Sequence, residues 1–275
     1  MQKSILITGA RGGMGRATAL AAAECGFRVF ALDRDAGEEI RNDNIIFIEA
    51  DVTNEDSVKA AFDIVKEKTD TLFAIVHFAG IYMLDSLIEM ECEDFEKIFK
   101  INLGGVFLIN KTFMQMLDEG SRILITTSEL APLDPLPFTG IYAVTKGALD
   151  KYAYSLRMEL QLKNIQVSVL RAGAVSTGML GVSTAALDRF CEKTELYTCN
   201  ADRFKKIVDS VEARSIAPEA IAKKVMGILS KKRAHFAYSI NRNPLLLMLN
   251  AMPKRLQFFI IRQVLKEKKQ KHPDK

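Results

Sequence analysis

The sequence predicts a doubly wound α/β fold, a parallel sheet with helices on both faces, formed as a single domain over residues 1–275. Three observations lead there. Short apolar, β-branched runs alternate with longer helical patterns through the first 175 residues, and such alternation implies right-handed crossovers between parallel strands. The strand-like runs are nearly unbroken in their apolar character, as strands buried on both faces are. The first of them runs straight into a glycine-rich segment, "TGARGGMG", from Thr8 to Gly15.

The elements follow in order. "SILITGA" is a strand ending in glycine, and "GRATALAAAECG" an alanine-rich helix stopped by Gly26. "FRVFALDRD" and "NIIFIEADVT" are the second and third strands, with "SVKAAFDIVKEK" the helix after them. "LFAIVHFAGI" is the fourth strand, and "EDFEKIFKINLGGVFLINKTFMQML" reads as one long helix. "SRILITTS" is the fifth strand. The helix of "GIYAVTKGALDKYAYSLRMELQLK" places Leu149, Tyr152, Ala153, Leu156 and Leu160 on one apolar face. "IQVSVLRAG" is the sixth strand. Residues 176–215 are polar and helical, "PEAIAKKVMGILS" is a helix begun by Pro218, and "AHFAYSI" is a last strand. Residues 243–275 form a helical extension, two short apolar helices broken at Pro253.

Composition bounds the function. Nearly half the residues are apolar, a quarter are charged, and the net charge is only +4, the mixture of a globular protein without a nucleic-acid surface. Cys25, Cys92, Cys191 and Cys199 form no C-x-x-C pair, and His77, His235 and His272 are scattered. Neither a metal site nor a disulfide framework is expected, and reduced thiols fit a cytoplasmic location. The apolar start is too short for a signal peptide, and no run of about 18 apolar residues suggests a membrane span. Lys254, Arg255, Arg262, Lys266, Lys268, Lys269 and Lys271 make the end of the chain basic. A basic tail could touch nucleic acid or an anionic membrane, but a solvated terminus is the simpler reading.

The glycine segment lies between a strand and a helix, the context of a dinucleotide-binding, Rossmann-type loop. Gly9 suits the tight turn, while Gly13 and Gly15 let a pyrophosphate and the sheet approach the backbone. The helix start beyond them offers free N–H groups and partial positive charge. Asp33 lies 18 residues past Gly15 at the end of the second strand, near the spacing of the acid that binds an adenosine ribose. Its carboxylate would accept from a 2′-hydroxyl and repel a 2′-phosphate, which favours NAD over NADP. Arg11 and Arg34 pull mildly the other way, because either can pair with a phosphate.

"YAVTK" sets Tyr142 and Lys146 four residues apart, on one helix face. A nearby ammonium favours the phenolate and so is expected to lower the tyrosine pKa toward the working range. At this point the sequence resembles the short-chain dehydrogenase/reductase family. Thr8, Gly9, Gly13 and Gly15 match its T-G-x-x-x-G-x-G cofactor loop, which also carries Arg11 and Met14. Asp51 and Val52 match the pair set against the adenine. Ala79 and Gly80 end the Asn-Asn-Ala-Gly segment, here His77-Phe78-Ala79-Gly80. Asn102, Ser128, Tyr142 and Lys146 match the catalytic tetrad, and Gly173, Val175 and Thr177 match the segment that meets the nicotinamide. The likeness covers residues 1 to about 235.

The resemblance implies a mechanism. Tyr142 exchanges the substrate hydroxyl proton, Ser128 donates a hydrogen bond to the substrate oxygen, Lys146 holds the nicotinamide ribose, and Asn102 anchors a relay water. His77 is expected to be a strand-end residue satisfied by the backbone rather than a base. Ala172 replaces the usual proline before Gly173. Ser128 stands 14 residues before Tyr142, one more than the commoner spacing, with Thr127 the fallback.

Leu133, Leu136 and Phe138, with Met179, Leu180, Val182, Leu187 and Phe190 after Thr177, suggest a pocket for an apolar ligand. The "LPFTGIY" approach is similar to the steroid- and retinol-oxidising branch of the family, and the C-terminal extension resembles it too. The expectation is an NAD-dependent oxidoreductase interconverting a secondary alcohol and a ketone on a bulky apolar molecule, in a homodimer or homotetramer. The rivals are an NADPH-dependent reductase of 3-oxoacyl or other carbonyl substrates, a non-catalytic dinucleotide sensor, and a membrane-surface scaffold. The C-terminal extension is expected to cover the substrate mouth or complete the core.

Overall fold

A computed structural model describes residues 2–34, 42–212 and 214–266, without the side chains of 179–184, 199, 202 and 209–212. Lys268, Lys269 and Lys271 lie outside the described residues, as do the side chains of Met179, Leu180 and Val182.

Seven parallel strands make one sheet: β1 (Ser4–Thr8), β2 (Arg28–Asp33), β3 (Ile45–Glu49), β4 (Leu72–His77), β5 (Leu117–Thr126), β6 (Gln166–Ala172) and β7 (Ala237–Ile240). Their order is β3-β2-β1-β4-β5-β6-β7. The order reverses between β1 and β4, which pair with Thr8 opposite His77. Open α/β sheets bind ligands beyond the carboxyl ends of the strands at such a switch.

Strand residues alternate between two cores, which is why the strand sequences lack polar interruptions. Leu6, Phe30, Leu32, Ile75, Ile123 and Ile125 face one side. There they meet α2 (Glu55–Lys66), α4 (Gly105–Phe113) and α5 (Gly140–Leu160) through Val58, Phe113 and Leu149. Ile5, Ile7, Val29, Ala31 and Val76 face the other side, against α1 (Gly13–Glu24) and α8 (Pro218–Leu229). The alanines of α1, Ala19, Ala22 and Ala23, let that helix lie close to the sheet. A third cluster joins Leu84 and Phe138 to α6 (Gly178–Lys193) and α7 (Thr198–Glu212). Glu89 ties down the α6–α7 turn by accepting from the Glu195 and Leu196 amides, at 2.8 and 3.0 Å.

The helix expected as one long piece is interrupted. α3 (Cys92–Phe99) passes through a π turn, Lys100–Gly104, into α4, and a 3₁₀ turn closes it at Met114–Met116. A π turn adds a residue to the repeat and re-aims the side chains it carries. Here it buries Asn102 completely. Beyond β7 come α9 (Pro244–Ala251) and α10 (Lys254–Leu265), with the break at Pro253.

Candidate active site

The glycine loop is shaped by contacts that leave no room for side chains. Gly9 has a φ of +66°, and a Cβ there would lie 2.6 Å from the Ala79 amide nitrogen. A Cβ on Gly15 would lie 2.1 Å from the Gly9 carbonyl oxygen, so α1 starts pressed onto the end of β1. Gly12 caps that helix with no side-chain hydrogen bond, and its first turn holds no acid. Those first amides are therefore left for an anion.

The loop borders a cleft of about 560 Å³ at the strand ends, lined by Gly9, Arg11, Gly13, Met14, Gly15, Asp33, Arg34, Asp51, Val52, Ala79, Gly80 and Thr177. These twelve are the candidates named from the sequence, and the lining also holds Gly12, Thr53, Ile81, Tyr82 and Ile101, which are not. The Asp33 carboxylate accepts from the Arg11 amide at 2.8 Å, and the Arg11 guanidinium lies 4.0 Å from the centre of the Phe47 ring. Burial pushes the Asp51 carboxyl up, but hydrogen bonds from Thr53 and the charges of Arg34 and Lys100 bring it below its ordinary value. Thr8 does not line this cleft. It is buried beneath the loop, where its hydroxyl accepts from the Ala79 amide at 3.3 Å and joins the ends of β1 and β4. The cleft fits a dinucleotide, with bare helix-start amides at one part and a carboxylate at the end of β2.

The four tetrad positions converge on the next strand ends. Tyr142 and Ser128 line the same cavity wall, and the Ser128 side chain acts on the Tyr142 hydroxyl so as to favour its ionised form. Thr127, the fallback, instead reaches Asp150 at 3.4 Å. The Lys146 ammonium lies 5.7 Å from the centre of the Tyr142 ring and donates to the Thr126 carbonyl at 3.4 Å. The expected lowering of the tyrosine pKa is not found in the chain alone. Burial raises the phenol above its ordinary value, the adjacent Tyr82 adds to this, and the Ser128 side chain opposes it. Burial also draws Lys146 down to about 8. In a low-dielectric pocket both groups favour their neutral forms, so desolvation outweighs an ammonium that is not bonded to the phenol.

Asn102 is held by three hydrogen bonds through its amide. Its Oδ1 accepts from the Ile81 amide at 2.8 Å, and its Nδ2 donates to the Ile81 carbonyl at 3.0 Å and to the Thr145 hydroxyl at 3.2 Å. It pins the segment after β4 to α5, which carries Tyr142 and Lys146.

His77 also differs from expectation. Its partner is a side chain, Asn110 Oδ1, which accepts from Nε2 at 2.9 Å. Asn110 in turn donates to the Tyr152 hydroxyl at 3.3 Å. Burial holds the imidazole down to about 4, so it is neutral, and it points into the core rather than into either opening.

Beside the dinucleotide cleft lies a second cavity of about 220 Å³, whose wall includes Ser128, Tyr142, Lys146, Gly173 and Val175. The two openings share Met14, Phe78, Gly80, Ile81, Tyr82 and Thr177. The far wall is apolar: Leu130, Leu136, Phe204, Ile207, Val208 and Leu246. Of the residues expected there, Leu136 lines it. Phe138, Leu187 and Phe190 form the small core beneath, with the Phe138 and Phe190 rings 4.5 Å apart, and Leu133 is not in the wall. Sequence reasoning missed Tyr82 and Glu129. Tyr82 lies five residues past the end of β4, and Glu129 follows Ser128. The Glu129 carboxylate is buried in the wall and accepts from the Asn243 amide at 2.5 Å. Its pKa is raised by burial, against the Asn243 bond and the Arg242 charge.

Comparison with known proteins agrees with this layout. Residues 3–188 match the short chain dehydrogenase family. NADPH-dependent 1-acyldihydroxyacetone phosphate reductase of Schizosaccharomyces pombe is 31% identical over 193 residues, covering 67% of this chain and 65% of that one. Estradiol 17-beta-dehydrogenase 2 of Mus musculus is 31% identical, covering 66% of this chain and 50% of its own. The chain thus spans less than two thirds of the length of either relative. The crystal structure of 3-ketoacyl-(acyl-carrier-protein) reductase from Brucella melitensis complexed with NADH superposes with a TM-score of 0.70 at 23% identity, over 86% of this chain and 96% of that one. The protein belongs to the short-chain dehydrogenase/reductase family. It is an oxidoreductase of alcohol and carbonyl groups with a Rossmann-type fold.

Proposed function

We propose that the protein interconverts a secondary alcohol and a ketone on a bulky apolar substrate, hydroxysteroid-like or retinol-like, with NAD. The observation that carries this is the placing of Ser128, Tyr142 and Lys146 together in the wall of an apolar cavity that adjoins a dinucleotide-shaped cleft. Few polar groups in an otherwise apolar wall is how sites for such ligands are built. Estradiol 17-beta-dehydrogenase 2 among the relatives supports the substrate class.

When bound, the nicotinamide supplies or accepts the hydride. The chain's own residues do the rest. In reduction the Tyr142 hydroxyl gives its proton to the carbonyl oxygen, and in oxidation it takes the proton back. Ser128 donates a hydrogen bond to the same oxygen as charge develops on it. Lys146 would hold the nicotinamide ribose, and Asn102 fixes the relative position of α5 and the segment after β4. Burial keeps Tyr142 protonated at neutral pH, which suits the acid role, so the oxidising direction gains from alkaline pH.

Asp33 supports NAD through repulsion of a 2′-phosphate. Arg11 and Arg34 in the same cleft support the second reading, an NADPH-dependent carbonyl reductase. Assembly as a homodimer or homotetramer through α4 and α5 belongs to the proposal, supported by exposed Phe107, Tyr154 and Met158 on those helices. So does a cytoplasmic location, supported by the free thiols of Cys25 and Cys92. Among the described residues, no helix is long and apolar enough to cross a membrane.

The test is a screen of steroid, retinoid and aliphatic alcohols and ketones with NAD(H) and NADP(H), read by nicotinamide absorbance. Turnover of apolar cyclic substrates with NAD is the expected result. Turnover confined to 3-oxoacyl thioesters with NADPH selects the second reading, and silence across the whole panel removes both.

A further inference from the structure

The C-terminal extension is built inside out. None of the eight residues of α9 is buried, although only Asn250 among them is polar. In α10 the one buried residue is the polar Gln257. Its side chain donates to the Met252 carbonyl at 2.8 Å and the Asn250 carbonyl at 3.3 Å, which fixes the corner between the helices. Leu246 and Leu265 turn inward, but four large apolar side chains point the other way: Phe258 is 69% exposed, Phe259 58%, Leu245 58% and Met248 57%. A helix that completes a core does the reverse.

The face is held rigid. Asn250 Oδ1 accepts from the Asp134 amide at 2.8 Å, and Lys254 pairs with Asp134. At the far end Asn200 donates to the Leu265 carbonyl at 2.6 Å, and Arg203 donates to the Val264 carbonyl at 3.2 Å. These ties run to the body of the protein and leave the phenylalanines outward. Charge accompanies them. From Arg242 to Lys266 there are five cations and no carboxylate. Arg255, Phe258, Phe259 and Arg262 fall at i, i+3, i+4 and i+7 on α10, hence on one side of it. Among the described residues Arg255 and Arg262 form no ion pair. Leu246 of α9 lines the apolar cavity, so this face adjoins the cavity wall.

We propose that α9 and α10 form a docking face for an anionic lipid bilayer, with Leu245, Met248, Phe258 and Phe259 entering the interface and Arg255, Arg262 and Lys266 meeting the headgroups. Apolar side chains beside unpaired cations are the chemistry of interfacial helices. A purely apolar patch would suit a second protein surface equally well, and the flanking cations decide between them. The docking rests on the surface alone; its use for delivering an apolar substrate to the cavity rests on the reading of the site above.

The experiment is co-sedimentation of the full chain with vesicles of phosphatidylcholine alone or with added phosphatidylserine. Binding to the serine-containing vesicles at low salt is expected, with release as ionic strength rises. The double variant Phe258→Ser/Phe259→Ser should bind at least about tenfold more weakly, and Arg255→Glu/Arg262→Glu should lose the preference for anionic lipid. Circular dichroism of both variants should match the parent chain. Absence of wild-type binding to anionic vesicles at low salt overturns the proposal. So does a dimer in light scattering that the Phe258→Ser/Phe259→Ser variant converts to monomer, which would assign the face to a second copy. The assay needs no turnover, so failure of the enzymatic screen leaves it standing.

Discussion

The ring of Tyr82 packs against the ring of Tyr142 with centroids 4.8 Å apart and planes tilted by 57°. Tyr82 lines both the dinucleotide cleft and the apolar cavity, so one phenol sits over another at the point where they meet. The contact raises the Tyr142 pKa further, because charge on one phenol disfavours charge on its neighbour. Tyr82→Phe keeps the ring contact and removes that influence. The Tyr142 pKa should then fall, and the rising limb of kcat/KM against pH in the oxidising direction should move to lower pH. A profile that overlays the wild type would show Tyr82 to be packing alone.

Tyr142→Phe removes the only exchangeable proton on that side chain. Turnover should drop by at least about 100-fold, while dinucleotide binding, followed by fluorescence, persists. Near-normal turnover would end the assignment of Tyr142 as acid and base.

Asp33 faces the cleft from the end of β2. Asp33→Ser should relieve the repulsion of a 2′-phosphate and raise the preference for NADP relative to NAD by about tenfold or more, in the ratio of their kcat/KM values. An unchanged ratio would place the discrimination elsewhere, at Arg11 or Arg34.

Asp150 on α5 and Arg171 on β6 form a largely buried ion pair, with bonds of 2.6 and 3.0 Å. The pair ties the helix of Tyr142 to the sheet. Arg171→Ala leaves the carboxylate buried without its partner and should cost about 3–5 kcal/mol of stability, read from the urea midpoint. Loss of less than about 1 kcal/mol would mean that the pair behaves as an exposed one.

His77 makes stability depend on acid. Its folded pKa of about 4 lies below the unfolded value of 6.5, so the unfolded chain binds the proton more readily. The stabilising contribution is complete above the unfolded value and declines as pH falls from there to about 4, by about 3 kcal/mol in all. His77→Asn, which restores the residue common in the family, should flatten the dependence of the denaturation midpoint between neutral pH and pH near the folded value. An equal acid sensitivity in the variant would assign it to other groups.

Gly9, Gly13, Gly15, Asp33 and the Tyr142–Lys146 spacing are short-range patterns, legible because they rest on local signals. The first four border the cleft, and Tyr142 and Lys146 line the apolar cavity beside it. Continuous apolar strands likewise implied a sheet covered on both faces, as the two cores flanking Leu6 and Ile5 show. Thr8 is the exception within the loop motif, serving the β1–β4 junction from below.

What the sequence determined by itself, then, was the set of groups that spacing and periodicity can place: the loop, the acid after it, the tyrosine, serine and lysine, and the layered sheet. The tertiary structure alone decided how those groups are tuned. Tyr82 over Tyr142, His77 on Asn110, Asp150 on Arg171, and Glu129 on the amide of Asn243, which stands 114 residues away, are contacts between distant segments. No one-dimensional period encodes them. The direction of the Tyr142 and Lys146 shifts depends on how much water the folded chain removes from both, and desolvation is a property of the packed molecule.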